Sequence, residues 1–373
     1  MYIENLVLKN FRNYSSINIE WNPGMNIIVG ENAQGKTNLL ESIYFLARGD
    51  SFRSGNSELV SVGQRKTVVQ GKFQKKTHDE TIRIIIENEE NKPTTTVIEQ
   101  NKKKVSSKNA LYGNFPVVDF IPQDMSIINE GPDVRRKFID KGLFHVKPIH
   151  AKVIKEYQRT LRQRNELLKQ IQSDSSLRYT IDIWDEKLVE LGKSLIINRM
   201  KFLHELNKKS KVIHRELSDG REDLTLFYIS NLIKDQEAIK QLDEVFRKAL
   251  NEQFDNDIKK GYTSIGPHLD DIKVSINNLD SKRYASQGQR RTCALSLKLS
   301  QIEILKEQTG ENPIILLDDV MSELDSIRQR KIVEFFKDNQ VVITCTDIEH
   351  LCPEQWEQKS IFTIQQGNVI KKV

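Results

Sequence analysis

Residues Gly30 to Thr37 have the types and spacing that bind the phosphates of a nucleotide. The run Gly30-Glu31-Asn32-Ala33-Gln34-Gly35-Lys36-Thr37 holds two glycines five positions apart and ends in Lys and Thr. Backbone N–H groups of such a loop surround the β- and γ-phosphates, and the positive end of the following helix adds to their field. Lys36 then supplies a mobile cation, and the Thr37 hydroxyl is placed to bind Mg²⁺.

Two adjacent carboxylates provide a second reactive group. Asp318 and Asp319 end the apolar run Ile314–Leu317, which is long enough for a buried parallel strand. Paired acids at a strand end are costly unless they meet a cation or an activated water. We predict that Asp318 holds Mg²⁺, commonly through a water, and that Asp319 orients or deprotonates the attacking water. An ordinary acidic turn is the alternative, but it ignores the phosphate loop upstream.

A third group lies at the start of a helix predicted over residues 292–305. The run is Ser286-Gln287-Gly288-Gln289-Arg290-Arg291. Ser286 and Gly288 offer a hydroxyl and free backbone N–H groups, which make a second anion site. Two phosphate-binding helix starts and one nucleotide predict a homodimer in which each subunit completes the site of the other.

The flanking sequence predicts the elements that position these groups. Met25–Val29 is a short apolar run of strand character, and apolar residues after Thr37 recur at helical spacing. Residues 1–19 predict two strands around the turn Asn10–Tyr14, where Arg12 either approaches the nucleotide or belongs only to the turn. Alternating residues at 68–73, 81–87 and 94–99 predict an antiparallel meander. The lysines at 102–104 predict a hairpin tip.

The middle of the chain is helical and basic. Apolar residues at helical spacing over 154–171 and 181–195 predict an antiparallel helical hairpin with arms of about 35 Å. Residues 131–215 hold 20 Lys and Arg against 10 Asp and Glu, whereas the rest of the chain holds 37 against 42. Such an excess suits a DNA backbone, but it also suits a solvated helical face.

Length and composition limit the classes of protein to which this chain can belong. The 373 residues, 38% of them hydrophobic, can bury a sizeable core and fill two domains. The sequence shows neither an uncharged apolar run of about 18 residues nor the features of a signal peptide, so we expect a soluble cytoplasmic protein. Its three cysteines form no CxxC pair, which gives no indication of a zinc site or a disulfide framework.

The order of these motifs resembles that of ABC-type ATPases of chromosome maintenance and DNA repair, and most closely the RecF family of bacterial recombination mediators. The segments that carry the resemblance are Asn10–Tyr14, Gly30–Glu41, Gly131-Pro132 with Arg135-Arg136, Gly266-Pro267-His268 with Asp270-Asp271, Ser286–Arg291, and Leu316–Asp325 including Ser322-Glu323. The resemblance implies an α/β ABC-type P-loop ATPase head, with a mixed sheet and an antiparallel meander, interrupted by an inserted helical lobe. We place the head at 1–124 and 221–373 and the lobe at 125–220.

The resemblance also implies a function. It suggests ATP as the cofactor with Mg²⁺, ATP-dependent homodimerisation, slow DNA-stimulated hydrolysis, and binding to duplex DNA near single-stranded gaps. It implies work with RecO and RecR to load RecA. A structural SMC-like head remains an alternative, although it requires far longer arms than this hairpin. The nucleotide-binding subunit of a transporter is another, but such subunits rarely carry a basic insertion of this size.

Individual roles follow from the resemblance alone. Asn32, Gly35 and Asn38 complete the phosphate loop, and Gln123 links the γ-phosphate and Mg²⁺ to the lobe, unless Asp124 is the true equivalent. Ser286, Gly288 and Gln289 reach the γ-phosphate bound by the partner subunit, and Asp325 lies across the dimer seam. Asp319 stands where transporters carry Glu, and Thr346 where they carry a switch His, which implies slow turnover. For His268 we favour a structural role over contact with DNA or nucleotide.

Overall fold

The chain forms two compact units, and the first of them is built from two separate segments. Unit 1 comprises Met1–Asp124 and Lys298–Val373, and unit 2 comprises Met125–Leu297. The computed structural model describes residues 1–90, 92–233, 235–321, 324–348 and 358–372. Among the helices in these ranges, none is both long and apolar enough to cross a bilayer.

The described residues form the following strands and helices. The strands are β1 (Tyr2–Phe11), β2 (Tyr14–Glu20), β3 (Met25–Val29), β4 (Lys66–Gln74), β5 (Asp79–Glu87), β6 (Thr95–Gln100), β7 (Lys103–Val105), β8 (Val117–Phe120), β9 (Leu224–Ile229), β10 (Asp271–Ile276), β11 (Leu279–Asp280), β12 (Ile314–Asp318), β13 (Val341–Cys345), β14 (Lys359–Gln365) and β15 (Asn368–Lys372). The helices are α1 (Lys36–Arg48), α2 (Ser126–Asn129), α3 (Pro132–Val146), α4 (Ile149–Ser173), α5 (Asp182–Leu217), α6 (Gln236–Lys240), α7 (Leu242–Lys260), α8 (Ser281–Tyr284), α9 (Gln287–Thr309) and α10 (Ser326–Phe335).

Unit 1 consists of two six-stranded sheets with α1 between them. The order β2-β1-β4-β5-β6-β7 is antiparallel throughout, which confirms the predicted meander and the two strands before it. The second sheet has the order β15-β14-β3-β13-β12-β8, and only β15 runs antiparallel in it. Helix α1 is apolar on nearly every side because it contacts strands of both sheets. The predicted mixed α/β architecture is therefore confirmed.

Strand order in the second sheet decides where the reactive side chains meet. Strand β13 lies between β3, which precedes the phosphate loop, and β12, which ends in Asp318. These three strands are parallel, so their carboxyl ends share one edge of the sheet. The phosphate loop, the paired acids and the end of β13 are thereby placed together.

Unit 2 is built on the predicted helical hairpin, α4 and α5. Helix α5 has 36 residues and spans about 54 Å, longer than the expected arm, because buried apolar positions continue to Leu217. Strand β9 and helix α7 pack against α5. The compact unit consequently extends to Leu297, whereas the predicted insertion ended at residue 220.

Buried arginines hold unit 2 together. The fully buried Arg164 donates to Asp185 at 2.5 Å and to Asp257 at 2.9 Å. Arg199 donates to both carboxylate oxygens of Asp140 at 2.8 Å. Such pairs offset the cost of burying each charge, so the loss of one partner leaves the other uncompensated.

Candidate functional site

The phosphate loop has a backbone that requires glycine at both ends. A Cβ on Gly30 would lie 2.7 Å from the carbonyl oxygen of Ile364. Gly35 has a φ of +110°, and a Cβ there would lie 2.5 Å from the side chain of Asn13. Larger residues therefore cannot occupy either position without moving the strands and turn beside the loop.

Lys36 begins α1 and turns its side chain back into the loop. It is only 5% exposed, and its Nζ donates to the carbonyl oxygens of Gly30 at 2.6 Å and Glu31 at 3.1 Å. The ammonium group is thus held inside the ring of loop backbone. A cation at that point stabilises phosphate oxygens that enter the loop.

The Thr37 hydroxyl and the Asp318 carboxylate are neighbours although they lie far apart in the sequence. Thr37 Oγ1 donates to Asp318 Oδ1 at 2.8 Å, and Thr344 Oγ1 donates to the same oxygen at 2.9 Å. A hydroxyl and a carboxylate side by side are the hard oxygen donors that Mg²⁺ prefers. This pair therefore fits a magnesium ion, which would supply positive charge next to the bound phosphates.

Asp319 follows at the edge of the sheet in an uncommon conformation. Its φ is +54°, and its backbone N–H donates to Thr344 Oγ1 at 3.0 Å. The side chain is half-buried. Burial, with a smaller effect from the Asp319 carboxylate, raises the pKa of the Cys345 thiol to about 12, and the nearby Lys36 opposes that rise. The second acid and the loop lysine therefore lie at the same strand ends.

Thr344 was missed by the sequence interpretation. It is a buried polar residue near the end of an otherwise apolar strand, and that position was the available signal. Its hydroxyl joins both acids, because it donates to Asp318 and accepts from the backbone of Asp319.

Arg12 lies beside α1, and its guanidinium is engaged by Glu41. Its Nε and NH2 atoms donate to the two Glu41 oxygens at 2.9 and 2.8 Å, and Arg53 donates to Glu41 at 2.7 Å. Burial opposes ionisation of Glu41, but the two guanidiniums outweigh it and hold the pKa of this carboxyl below its usual range. Arg53, which sequence reasoning missed within a polar loop, also donates to Asn38 Oδ1 at 2.6 Å.

Arg12, Asn38 and Arg53 line a cleft of about 520 Å³ next to the loop. Asn13 connects the cleft to the loop, because its Nδ2 donates to the Gln34 carbonyl at 2.9 Å and its Oδ1 accepts from Asn38 at 2.8 Å. Glu31, Asn32 and Ala33 are exposed at the tip of the loop.

The side chains of Gln123 and Asp124 differ in exposure and in hydrogen bonding. Both lie in the single-turn 3-10 helix Pro122–Met125. Gln123 is exposed, whereas one Asp124 oxygen accepts from Lys298 at 2.8 Å and the other from the Ile121 N–H at 2.9 Å. Burial raises the pKa of Asp124 to about 6, and the Lys298 ammonium opposes that rise. Of the two residues, Gln123 has the side chain that a ligand can reach.

Ser286 and Gln289 form a reciprocal cap at the start of α9. The Ser286 N–H donates to Gln289 Oε1 at 2.8 Å, and the Gln289 N–H donates to Ser286 Oγ at 3.3 Å. Gln289 Nε2 also donates to Glu222 at 2.9 Å. A Cβ on Gly288 would meet no atom within 4 Å in the described chain. These residues belong to unit 2, whereas the loop and both acids belong to unit 1.

Asp325 caps α10. Its carboxylate accepts from the Arg328 backbone N–H at 2.9 Å and from the Arg328 guanidinium at 2.9 Å, and the backbone bond lowers its pKa. Its side chain is half exposed. The neighbouring Ser322 and Glu323 lie outside the described residues.

His268 is bonded on both ring nitrogens. Nε2 lies 3.1 Å from the Thr263 carbonyl oxygen, and Nδ1 lies 2.9 Å from the Tyr157 hydroxyl. Burial lowers its pKa, so the neutral ring donates from Nε2 and accepts at Nδ1. This arrangement agrees with the structural role favoured from the sequence.

Comparison with known proteins identifies the family. The sequence profile described as RecF/RecN/SMC N terminal domain matches residues 2–369. A protein of Clostridium tetani named DNA replication and repair protein RecF is 37% identical over 372 residues, with 100% of both chains covered. The chain belongs to the RecF family. A relative of the same name from Alkaliphilus oremlandii is 36% identical and covers 99% of this chain and 100% of its own.

Solved structures agree with this family. A structure described as the recombination mediator protein RecF-ATP in the RecFOR pathway has a TM-score of 0.91 at 36% identity, covering 100% of this chain and 98% of its own. An Smc head domain from Pyrococcus yayanosii reaches 0.57 at 13% identity, covering 100% and 97%, which shows a shared fold alone. The predicted ABC-type head is confirmed. The chain is a DNA replication and repair protein of the RecF/SMC-type ATPase family.

Proposed function

We propose that this chain is an ATP-dependent, DNA-binding recombination mediator of the cytoplasm. Mg-ATP bound by the phosphate loop of one subunit meets Ser286, Gly288 and Gln289 of a second subunit, and the resulting homodimer holds duplex DNA near single-stranded gaps. Slow, DNA-stimulated hydrolysis releases the dimer. The protein acts with RecO and RecR so that RecA is loaded in gap repair and at stalled replication forks.

The pairing of Thr37 with Asp318 is the main evidence for the nucleotide site. A hydroxyl from α1 and a carboxylate from β12, 2.8 Å apart and next to a buried lysine, form the magnesium and phosphate half of a P-loop ATPase site. Lys36 binds phosphate oxygens. Asp319 orients the attacking water or accepts a proton from it. Gln123, exposed on its turn, contacts the γ-phosphate. The solved relative described with ATP supports the choice of nucleotide.

The start of α9 supports the dimer. The backbone around Gly288 is open, and the cap fixes Ser286 and Gln289 in one conformation. An exposed helix start of this kind binds an anion through its N–H groups. We assign that anion as the γ-phosphate held by the other subunit, and Asp325 as a residue at the seam.

The DNA surface is assigned to α5. Lys201, His204, Lys208, Lys211 and Arg215 are all exposed and recur at alternating steps of three and four residues. They form one stripe about 21 Å long on the helix. The lysine and arginine side chains of this stripe follow a phosphate backbone and displace its counterions.

Sedimentation velocity tests the ATP-driven dimer. We expect Mg-ATP to convert wild-type monomer to dimer, Asp319→Asn to make that dimer persist, and short duplex DNA to sediment with it. Ser286→Arg should leave ATP binding intact and block dimerisation, whereas Ser106→Arg, at an exposed serine outside the site, serves as the matched control. A protein that stays monomeric with ATP bound would refute the shared site.

A charge reversal tests the DNA surface. Lys208→Glu combined with Lys211→Glu should weaken duplex binding and reduce the slope of log affinity against log salt by about 2. The control reverses Lys169 and Lys240, which lie outside α5 and are already paired with Glu166 at 2.9 Å and Glu237 at 3.0 Å. Equal losses in both variants would show that only net charge matters and that α5 is not the binding face.

A further inference from the structure

Lys298 is a buried lysine to which no motif assigns a function. It lies on α9 and is 5% exposed. Its Nζ donates to the Asp119 carbonyl oxygen at 2.8 Å and to Asp124 Oδ1 at 2.8 Å, and it lies 3.3 Å from Asp119 Oδ2. One ammonium group therefore joins α9 to the end of β8 and to the turn that contains Gln123.

Stability alone does not account for this arrangement. Burying an ammonium and two carboxylates carries a large desolvation cost, and apolar residues of similar volume often stabilise a core as well or better. What the charged group adds is a fixed geometry, because Lys298 must reach Asp119 and Asp124 together. Asp124 in turn fixes the 3-10 turn by accepting from the Ile121 N–H at 2.9 Å.

The chain positions of these groups connect the Gln123 turn with the helix start that the proposed dimer presents to the partner's nucleotide. Asp124 directly follows Gln123. Lys298 lies on the helix whose first residues are Gln287 and Gly288, eleven and ten residues upstream in the sequence. Its ammonium group therefore joins the Gln123 turn to α9.

We propose that Lys298 is a positioning residue that couples the Gln123 turn to helix α9, so that contact of Gln123 with the γ-phosphate aligns the residues at the start of that helix. The inference rests on the proposed function, since it takes Gln123 as the γ-phosphate contact. It assigns Lys298 no contact with nucleotide. Lys36 and Thr37 bind ATP without it, whereas turnover and dimerisation depend on it.

The test uses the 373-residue protein with Lys298→Met, Asp119→Asn and Asp124→Asn combined, which removes the cation and both carboxylates that face it. We expect unchanged Mg-ATP affinity, a KM within twofold of wild type, and a kcat at least tenfold lower. Lys298→Arg, which keeps the charge, should recover part of the kcat. Weakened ATP affinity together with a lowered thermal midpoint would overturn the inference by showing a merely structural role.

A double-mutant cycle with Gln123→Ala separates this inference from the proposed function. If Lys298 acts through Gln123, adding Gln123→Ala to the combined variant lowers kcat no further than Gln123→Ala alone. If both changes lower kcat and their effects multiply, the coupling is refuted while the role of Gln123 stands. If Gln123→Ala has wild-type kcat, the assignment of Gln123 fails, and the coupling fails with it.

Discussion

The substitution Gly288→Ala should leave the stability of the fold unchanged or raise it, and should weaken the dimer. Gly288 is the second residue of α9, and a Cβ there would meet no atom within 4 Å in the described chain. Glycine is less favourable than alanine in a helix by up to about 1 kcal/mol. The alanine variant should therefore have a free energy of unfolding equal to that of wild type or up to about 1 kcal/mol higher.

The alanine variant should dimerise more weakly than the wild type. In the proposed dimer a phosphate oxygen of the partner's nucleotide approaches the backbone N–H groups at Gly288, and a methyl group would hold it away. A hydrogen bond to a charged group contributes about 1.5–3 kcal/mol. Loss of one such bond at each of the two sites of the dimer removes at least about 3 kcal/mol and predicts a dissociation constant at least about a hundredfold higher.

Two measurements check this prediction. Urea unfolding without nucleotide gives the stability, and sedimentation velocity in Mg-ATP gives the dissociation constant, with Asp319→Asn present in each protein to prevent turnover. Gly131→Ala is the control, because Gly131 also lies at a helix start, and no atom of the described residues lies within 4 Å of its Cβ position. A less stable Gly288→Ala protein, or one that dimerises like the control, would refute the reasoning.

Three further predictions concern single side chains. Lys36→Ala should abolish ATP binding in calorimetry, since the cation that Gly30 and Glu31 hold in the loop is lost; unchanged affinity would contradict the loop assignment. Arg164→Met should lower the free energy of unfolding in urea by roughly 3–5 kcal/mol because two buried carboxylates lose their partner, and a loss below about 1 kcal/mol would count against it. Asp124→Asn removes a carboxyl whose pKa is about 6 in the fold against 3.8 for the ordinary group. The folded wild type holds that proton more tightly, so its stability relative to the variant should fall by roughly 2 kcal/mol as the pH rises from about 4 to about 7; parallel curves of stability against pH would rule this out.

Local patterns predicted most elements but not all of their lengths. The strand before Gly30, the helix after it and the meander depend on the period of apolar residues within a short window, and they were predicted correctly. Helix α5 exceeded its predicted length, since its later half packs against β9. No local signal specifies that packing, which also accounts for the extension of unit 2 to Leu297.

The sequence by itself determined the reactive groups: the loop with Lys36 and Thr37, the paired acids, and the serine and glycine at the start of α9. Each depends on residue type and on backbone conformation over a few positions, which the chain encodes locally. Tertiary structure alone decided that Thr344 joins the two acids, that Arg12 and Arg53 share Glu41, and that Lys298 bridges two aspartates. These contacts join segments distant in the chain, so they exist only after the parallel strands have taken their order and α1 is packed between the sheets.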